Sequence, residues 1–240
     1  MKLTAPIYRL KSRARKLARE NRIRLHQALD AVAIAEGFRS WSHLANAWQP
    51  NRPSRSLLEA LAPGDLLLLA ARPGEGKTVL GLEIAAEASK LGRAAWFFSS
   101  ECTEAEVQRT LSLSGYGDLK GSRDLVIDLA ESVCARHLMS TLSGAVPGSV
   151  AVIDYLQVMD QNRAEPVLGH QVEQLKRFAN EREVSLVFLS QIRRTFDPAQ
   201  NRLPGIDDVR MPNPLDLGQF TKSCFLHGGE ILLQPMPASA

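Results

Sequence analysis

The chain is 240 residues long, 45% hydrophobic and 23% charged, with a formal net charge of +3. This is a globular composition with enough chain to close a core, which excludes a disordered segment. The strongly apolar runs 66–71 and 150–153 are far shorter than the roughly 20 residues of a membrane span. No apolar stretch or small-residue cleavage site follows the basic N-terminus, and Cys102, Cys134 and Cys224 form no CxxC pair. The expectation is a soluble protein of the reducing cytoplasm, with no membrane partner, disulfide framework or zinc site.

The small net charge hides an asymmetry. Residues 1–55 hold twelve Lys or Arg against three acids, a net +9, and the remainder holds 17 basic against 23 acidic residues, a net −6. A basic head on a mildly acidic body makes the head the natural place for a polyanion. In the head, Ile7, Leu10, Ala14, Leu17 and Ala18 recur at helical spacing, with Arg13, Arg15 and Lys16 among the charges between them. Leu25, Ala28, Leu29, Val32 and Ala33 repeat the pattern; Gly37 is placed to end that helix and Ser40 to cap a third through Leu44 and Trp48. Residues 1–50 therefore read as a basic three-helix head. Its helix, turn, helix layout suits a small DNA-binding module and equally a protein-docking head. The aperiodic, proline-containing residues 51–56 read as a linker.

From 57 to 240 the pattern changes to short apolar runs alternating with amphipathic segments. Strands are expected at 65–70, 94–99, 125–128, 150–155, 185–190 and 224–226, with helices between most of them, and a hairpin around 227–230 closes at Leu233. Alternating β and α elements with fully apolar strands predict an α/β domain whose parallel sheet is covered on both faces.

The strongest motif is DLLLLAARPGEGKTVLGLEIAAEA. A buried strand enters the loop Arg72-Pro73-Gly74-Glu75-Gly76 and leaves it as a helix at Lys77, the context in which a phosphate-binding loop is credible. Gly74 and Gly76 let backbone N–H groups curl around phosphate oxygens, and the helix N-terminus adds the positive end of its dipole. Lys77 can reach the β- and γ-phosphates of a nucleotide and Thr78 offers a hydroxyl to Mg²⁺. Ala71 stands where the generic GxxxxGK[ST] pattern has its first glycine. Asp154, closing the apolar run of SVAVIDYLQ, would sit at the carboxyl edge of the sheet and support the same metal. Glu101, after AAWFFSS, and Gln191, after LVFLS, end two further strands on that edge. They are placed to orient water and to sense the γ-phosphate, although either could instead cap a helix or a turn.

ARPGEGKT, FFSSE, VIDYLQVM and LSQIRR, in this order, resemble the nucleotide-site motifs of the ATPase domain of DnaB-type replicative helicases, a RecA-like P-loop fold with a mostly parallel twisted sheet. The family's P-loop commonly has alanine where this chain has Ala71. The resemblance covers about residues 56–226. It implies ATP and Mg²⁺ as ligands, with Arg72 as the loop arginine, Lys77 and Thr78 on nucleotide and metal, Glu101 as catalytic base, Asp154 as second acid and Gln191 as γ-phosphate sensor. The segment 192–216 is similar in position to a loop that faces DNA in family hexamers. Here it carries Arg193, Arg194, Arg202 and Arg210 against Asp197, Asp207, Asp208 and Asp216, a charge near zero. Residues 1–55 do not look like the family's primase-binding collar, and no basic segment matching the family's arginine finger follows the last core strands. A homo-oligomer or another partner would then have to supply the finger, worth about 10³ to 10⁵ in rate. The expected function is a DNA-associated ATPase. A regulatory or scaffold switch with little turnover is the alternative, and a small-molecule kinase is weaker for want of an acceptor motif or lid.

Overall fold

A computed structural model of the chain describes residues 3–5, 7–47, 52–119, 121–160, 165–211 and 213–236. The chain divides into two compact units, residues 1–52 and 53–240.

In the first unit, α1 (Ile7–Glu20), α2 (Leu25–Ala35) and α3 (Trp41–Ala47) follow the helical spacing of the apolar residues. Their shared core is small: Leu10, Ala14, Ala28, Ala33 and Leu44 are fully buried, with Phe38 and Trp41 packed alongside. Gly37, at φ 86°, ends α2 as expected, with Phe38 N–H donating to Ala33 O at 2.9 Å. Ser40 Oγ accepts from His43 N–H at 3.2 Å and so caps α3, while Asp30 Oδ1 accepts from Trp41 N–H at 2.8 Å. Trp48, expected within this helix, lies outside the described residues. The unit's acids are turned to internal work: Asp30 on α3, Glu36 on Thr4 and Glu20 on Lys16. Arg9, Arg13, Arg15, Lys16, Arg19, Arg22 and Arg24 meanwhile stand exposed along and just beyond α1.

In the second unit, seven strands of the described residues form one sheet: β1 (Leu66–Ala71), β2 (Ala95–Ser99), β3 (Leu125–Asp128), β4 (Val150–Asp154), β5 (Ser185–Gln191), β6 (Lys222–His227) and β7 (Glu230–Pro235). Their order is β3-β2-β4-β5-β1-β6-β7, parallel except for β7, which pairs antiparallel with β6. The helices are α4 (Pro53–Glu59), α5 (Lys77–Lys90), α6 (Glu104–Leu113), α7 (Ala135–Thr141) and α8 (Leu168–Arg182). Alternate residues of β1 enter opposite layers. Leu66, Leu68 and Ala70 join a core with α7 and α8, whereas Leu67, Leu69 and Ala71 join one with α4, α5 and α6. This two-sided burial is why the strand reads LLLLAA without a polar break.

The boundaries of β1, β2, β4 and β5 shift from expectation by one residue, and the larger departures are at α4 and the last strands. Residues 53–56, read as linker, are the first turns of α4. Proline is well tolerated at the start of a helix, Leu57 and Leu58 give the segment a buried face, and Arg55 pairs with Glu59 at 2.8 Å and Glu87 at 3.3 Å. The last strands are longer than their apolar residues suggest: β6 begins at Lys222, and the closing hairpin runs past Leu233 to Pro235. At the N-terminal end of β1, Asp65 fixes this edge by accepting from Ala62 N–H at 2.7 Å, Thr221 Oγ1 at 2.8 Å and Lys222 Nζ.

Candidate nucleotide site

Five strand ends line up on the carboxyl edge of the sheet. Register pairs Ala71 with Gln191 on one side and Leu226 on the other, and Ser99 with Asp154. Chain order alone does not give this row; strand order and parallel register do. It gathers the residues that follow β2, β4, β5, β1 and β6, where open α/β sheets bind ligands.

The loop between β1 and α5 turns at Gly74 (φ 84°) and Gly76 (φ 91°), a left-handed conformation that L side chains rarely adopt. A Cβ at either position would meet nothing within 4 Å, so the space over the loop is open. Gly76 stands at the N-cap of α5 without a side-chain cap, so the helix's first N–H groups are offered to whatever enters. Lys77 Nζ lies 3.4 Å from Asp154 Oδ1 and 5.2 Å from the centre of the Tyr155 ring. Asp154 is buried, and Thr78 follows Lys77 on the first turn of α5. The structure therefore brings Gly74, Gly76, Lys77, Thr78 and Asp154 to one place. Arg72 O accepts from Glu75 N–H at 3.2 Å, which tightens the loop, and exposed Pro73 forms its outer side.

Glu101 lies two residues beyond β2 and is exposed, with its N–H on Ser99 Oγ at 3.2 Å. Tyr155, which the motif reading passed over, follows Asp154 and lies within electrostatic reach of Glu101. Burial raises the Tyr155 pKa above its ordinary value, and the Glu101 and Asp154 charges add to the rise, so the phenol stays protonated. The sequence signal was adjacency alone, since Tyr155 follows Asp154 in VIDYLQ; the peptide bond between them is cis. Gln157, from the same motif, is buried and donates to Ser190 Oγ at 2.8 Å and Arg210 O at 2.6 Å.

Gln191 ends β5, and its Oε1 accepts from Arg210 Nη1 at 3.1 Å. The segment after β5 doubles back: Ile192 bridges Val209, Arg210 N–H donates to Gln191 O at 2.7 Å and Arg193 N–H to Asp208 O at 2.8 Å. An open depression of about 490 Å³ results, lined by Pro73, Gln191, Arg193, Arg194, Thr195 and Arg210 among others. Three of the four arginines read from sequence as facing a polyanion thus meet beside the phosphate loop. The fourth, Arg202, is paired with Glu230 of β7. Arg13, Arg15 and Lys16 belong to the first unit and are exposed there.

Among the described residues no three or more His, Cys, Asp or Glu side chains cluster as a metal cage. One buried carboxylate and one hydroxyl suit a hard cation that keeps most of its waters, so the donor set fits Mg²⁺ held jointly with a nucleotide rather than a dedicated protein site. No described helix is long and apolar enough to cross a membrane.

A family model described as the DnaB-like helicase C-terminal domain matches residues 55–123 and 124–215. The replicative DNA helicase DnaB of Leifsonia xyli subsp. xyli (strain CTCB07) is 29% identical over 185 residues, which is 64% of this chain and 40% of that protein. The chain thus spans about 40% of the length of this relative. Among solved structures, one ATPase domain superposes with a TM-score of 0.57 at 20% identity, covering 70% of each chain. A DnaB-like replicative helicase, solved in a study of its interactions with primase, gives a TM-score of 0.57 at 19% identity, covering 89% of this chain and 64% of that one. These two likenesses bear out the RecA-like α/β fold. With the family match extending over most of the second unit, the chain belongs to the DnaB-like helicase C-terminal domain family.

Proposed function

We propose that residues 53–240 are a helicase-type ATPase that hydrolyses ATP in association with DNA. The observation that carries this reading is the pairing of Lys77 Nζ with buried Asp154 at 3.4 Å beneath an open glycine loop and an uncapped helix N-terminus. A cation, a carboxylate and a fan of N–H donors there would be left over by packing; a triphosphate would use all three. Gly74 and Gly76 would offer backbone N–H groups to the phosphates, with Arg72, Pro73 and Glu75 shaping the loop, Lys77 would follow charge onto the γ-phosphate, and Glu101 would align the attacking water. Thr78 and Asp154 would hold Mg²⁺, which when bound would draw charge from the β- and γ-phosphate oxygens. Gln191 would sense the γ-phosphate and, through Arg210, pass its presence to the segment 192–216, the edge we assign to DNA with Arg193, Arg194 and Arg202. The basic head, with Arg13, Arg15 and Lys16, would supply most of the salt-dependent grip. A homo-oligomer or another partner would supply an arginine to each site.

Turnover and oligomeric state, measured with and without single-stranded DNA, test the reading. Stimulation by DNA is expected; equal turnover in both conditions from a confirmed oligomer would overturn the DNA motor. Charge reversal at Arg13, Arg15 and Lys16 should lower the slope of log affinity against log salt by about 2 to 3.

One observation favours a second reading, an ATP-dependent switch with little turnover. Gln191 is already engaged within the chain, by Arg210. A switch would keep its function in Glu101→Gln and lose it in Lys77→Ala, whereas a hydrolase would lose it in both.

A further inference from the structure

Glu75 is an unexpected residue for the middle of a loop that must receive a polyphosphate, since an ionised carboxylate there repels the ligand. The fold deals with it from outside the loop. β6 lies beside β1 in register, so His227, the last residue of β6, comes just after the residue opposite Ala71. The β6–β7 hairpin turns on Gly228 (φ 59°) and Gly229 (φ 86°), which aims Gly228 N–H outward. That N–H donates to Glu75 Oε2 at 2.9 Å, and His227 Nδ1 lies 3.4 Å from Glu75 Oε1. One carboxylate oxygen is thus held by a hydrogen bond, and the other faces the imidazole of the preceding residue in the same turn. Nδ1 is buried and makes no hydrogen bond of its own, so Glu75 is the polar group it faces. The imidazole is held in place by Phe196, edge-on at 5.4 Å between ring centres, from the segment that follows Gln191. Arg202 of that same segment pairs with Glu230, across the turn from His227.

We propose that Glu75, His227 and the Gly228 N–H form a latch that holds the P-loop in its phosphate-receiving conformation, with Glu75 and His227 as positioning residues for nucleotide binding. The proposal rests on the nucleotide-site reading above and deepens it. The latch draws the carboxylate toward the hairpin and leaves the N–H groups of Gly74 and Gly76 for the ligand. Because the latch shapes the loop before ligand arrives, its loss falls mainly on KM and on nucleotide affinity, with a smaller change in kcat.

The test is equilibrium binding of a fluorescent ATP analogue with Mg²⁺, alongside steady-state turnover, on the full chain and on Glu75→Ala, Glu75→Gln, His227→Ala and the double alanine variant. Matched thermal melts serve as the folding control. About a tenfold weaker binding is expected for Glu75→Ala, the scale of one charge-assisted hydrogen bond, and a loss of about two- to threefold for His227→Ala, which removes a close contact but no hydrogen bond. The double variant should be no worse than the more affected single one, because the two residues act as one unit. Glu75→Gln keeps an acceptor oxygen for Gly228 N–H and should recover binding to within about threefold of the parent. Parent-like affinity in Glu75→Ala, or fully additive losses in the double variant, would overturn the latch while leaving the nucleotide site standing. A parent chain that binds no analogue at all would overturn the site reading and the latch with it.

Discussion

The two ends of β1 use the same residue types for opposite purposes. At the N-terminal end, Asp65 meets Ala62 N–H, Thr221 and Lys222, and the cluster is closed, with each charged group spent on another part of the chain. At the C-terminal end, Lys77 and Asp154 pair at 3.4 Å, yet the glycine loop and the first turn of α5 keep N–H groups that no side chain caps. Hydrogen-bonding capacity left over beside a fixed charge is what the proposed nucleotide would use. A satisfied charge cluster marks the end that holds the sheet together.

The largest effect that separates the two ends is Lys77→Ala. Turnover should fall by at least about 10²-fold, as for loss of one preorganised charge contact, while the melting temperature stays near that of the parent. Parent-like turnover would remove the C-terminal end from the chemistry. Asp65→Ala should show the reverse: about 1 to 3 kcal/mol of stability lost by chemical denaturation, discounted for the partial exposure of the Lys222 partner, with turnover per folded molecule unchanged. A turnover defect beyond the folded fraction would mean that the two ends are coupled.

The pH dependence of stability sharpens the same contrast. Burial pushes the Asp65 carboxyl up, but Lys222, Thr221 and the Ala62 N–H together outweigh it and hold the group below its ordinary 3.8. A depressed folded-state pKa contributes stability above the unfolded value, and that stability is lost as pH falls through the folded one. Melting temperature should therefore drop below about pH 4 in the parent and drop less steeply in Asp65→Asn, which starts lower; equal slopes would refute the assignment. The smallest effect concerns Cys224, in the middle of β6 between the two ends. Burial pushes its thiol up to about 12, so iodoacetamide at pH 8 should leave it unmodified in the native chain and label it on unfolding. Rapid native labelling would show that this strand opens.

The paired glycines of the P-loop, the apolar runs of the inner strands and the capping residues Gly37 and Ser40 were legible because each acts within a few residues of itself. Local backbone preference and side-chain alternation write such features directly into the order of residues. The linker reading failed at 53–56 because a proline that would break a helix interior is tolerated at its first turn, and the buried partners of Leu57 and Leu58 are remote in sequence. Tyr155 over Lys77, Arg210 on Gln191 and His227 facing Glu75 were not legible either. The last pair is separated by more than 150 residues and meets only because β6 lies parallel to β1.

By itself, then, the sequence determined that an α/β domain follows a basic helical head and which residue types stand at each strand end. The tertiary structure alone decided which of those ends are neighbours, which arginines turn back to the phosphate loop and which acids are already spent. The physical reason is that strand order and register are settled by burying both faces of the whole sheet at once, a condition that no local segment contains.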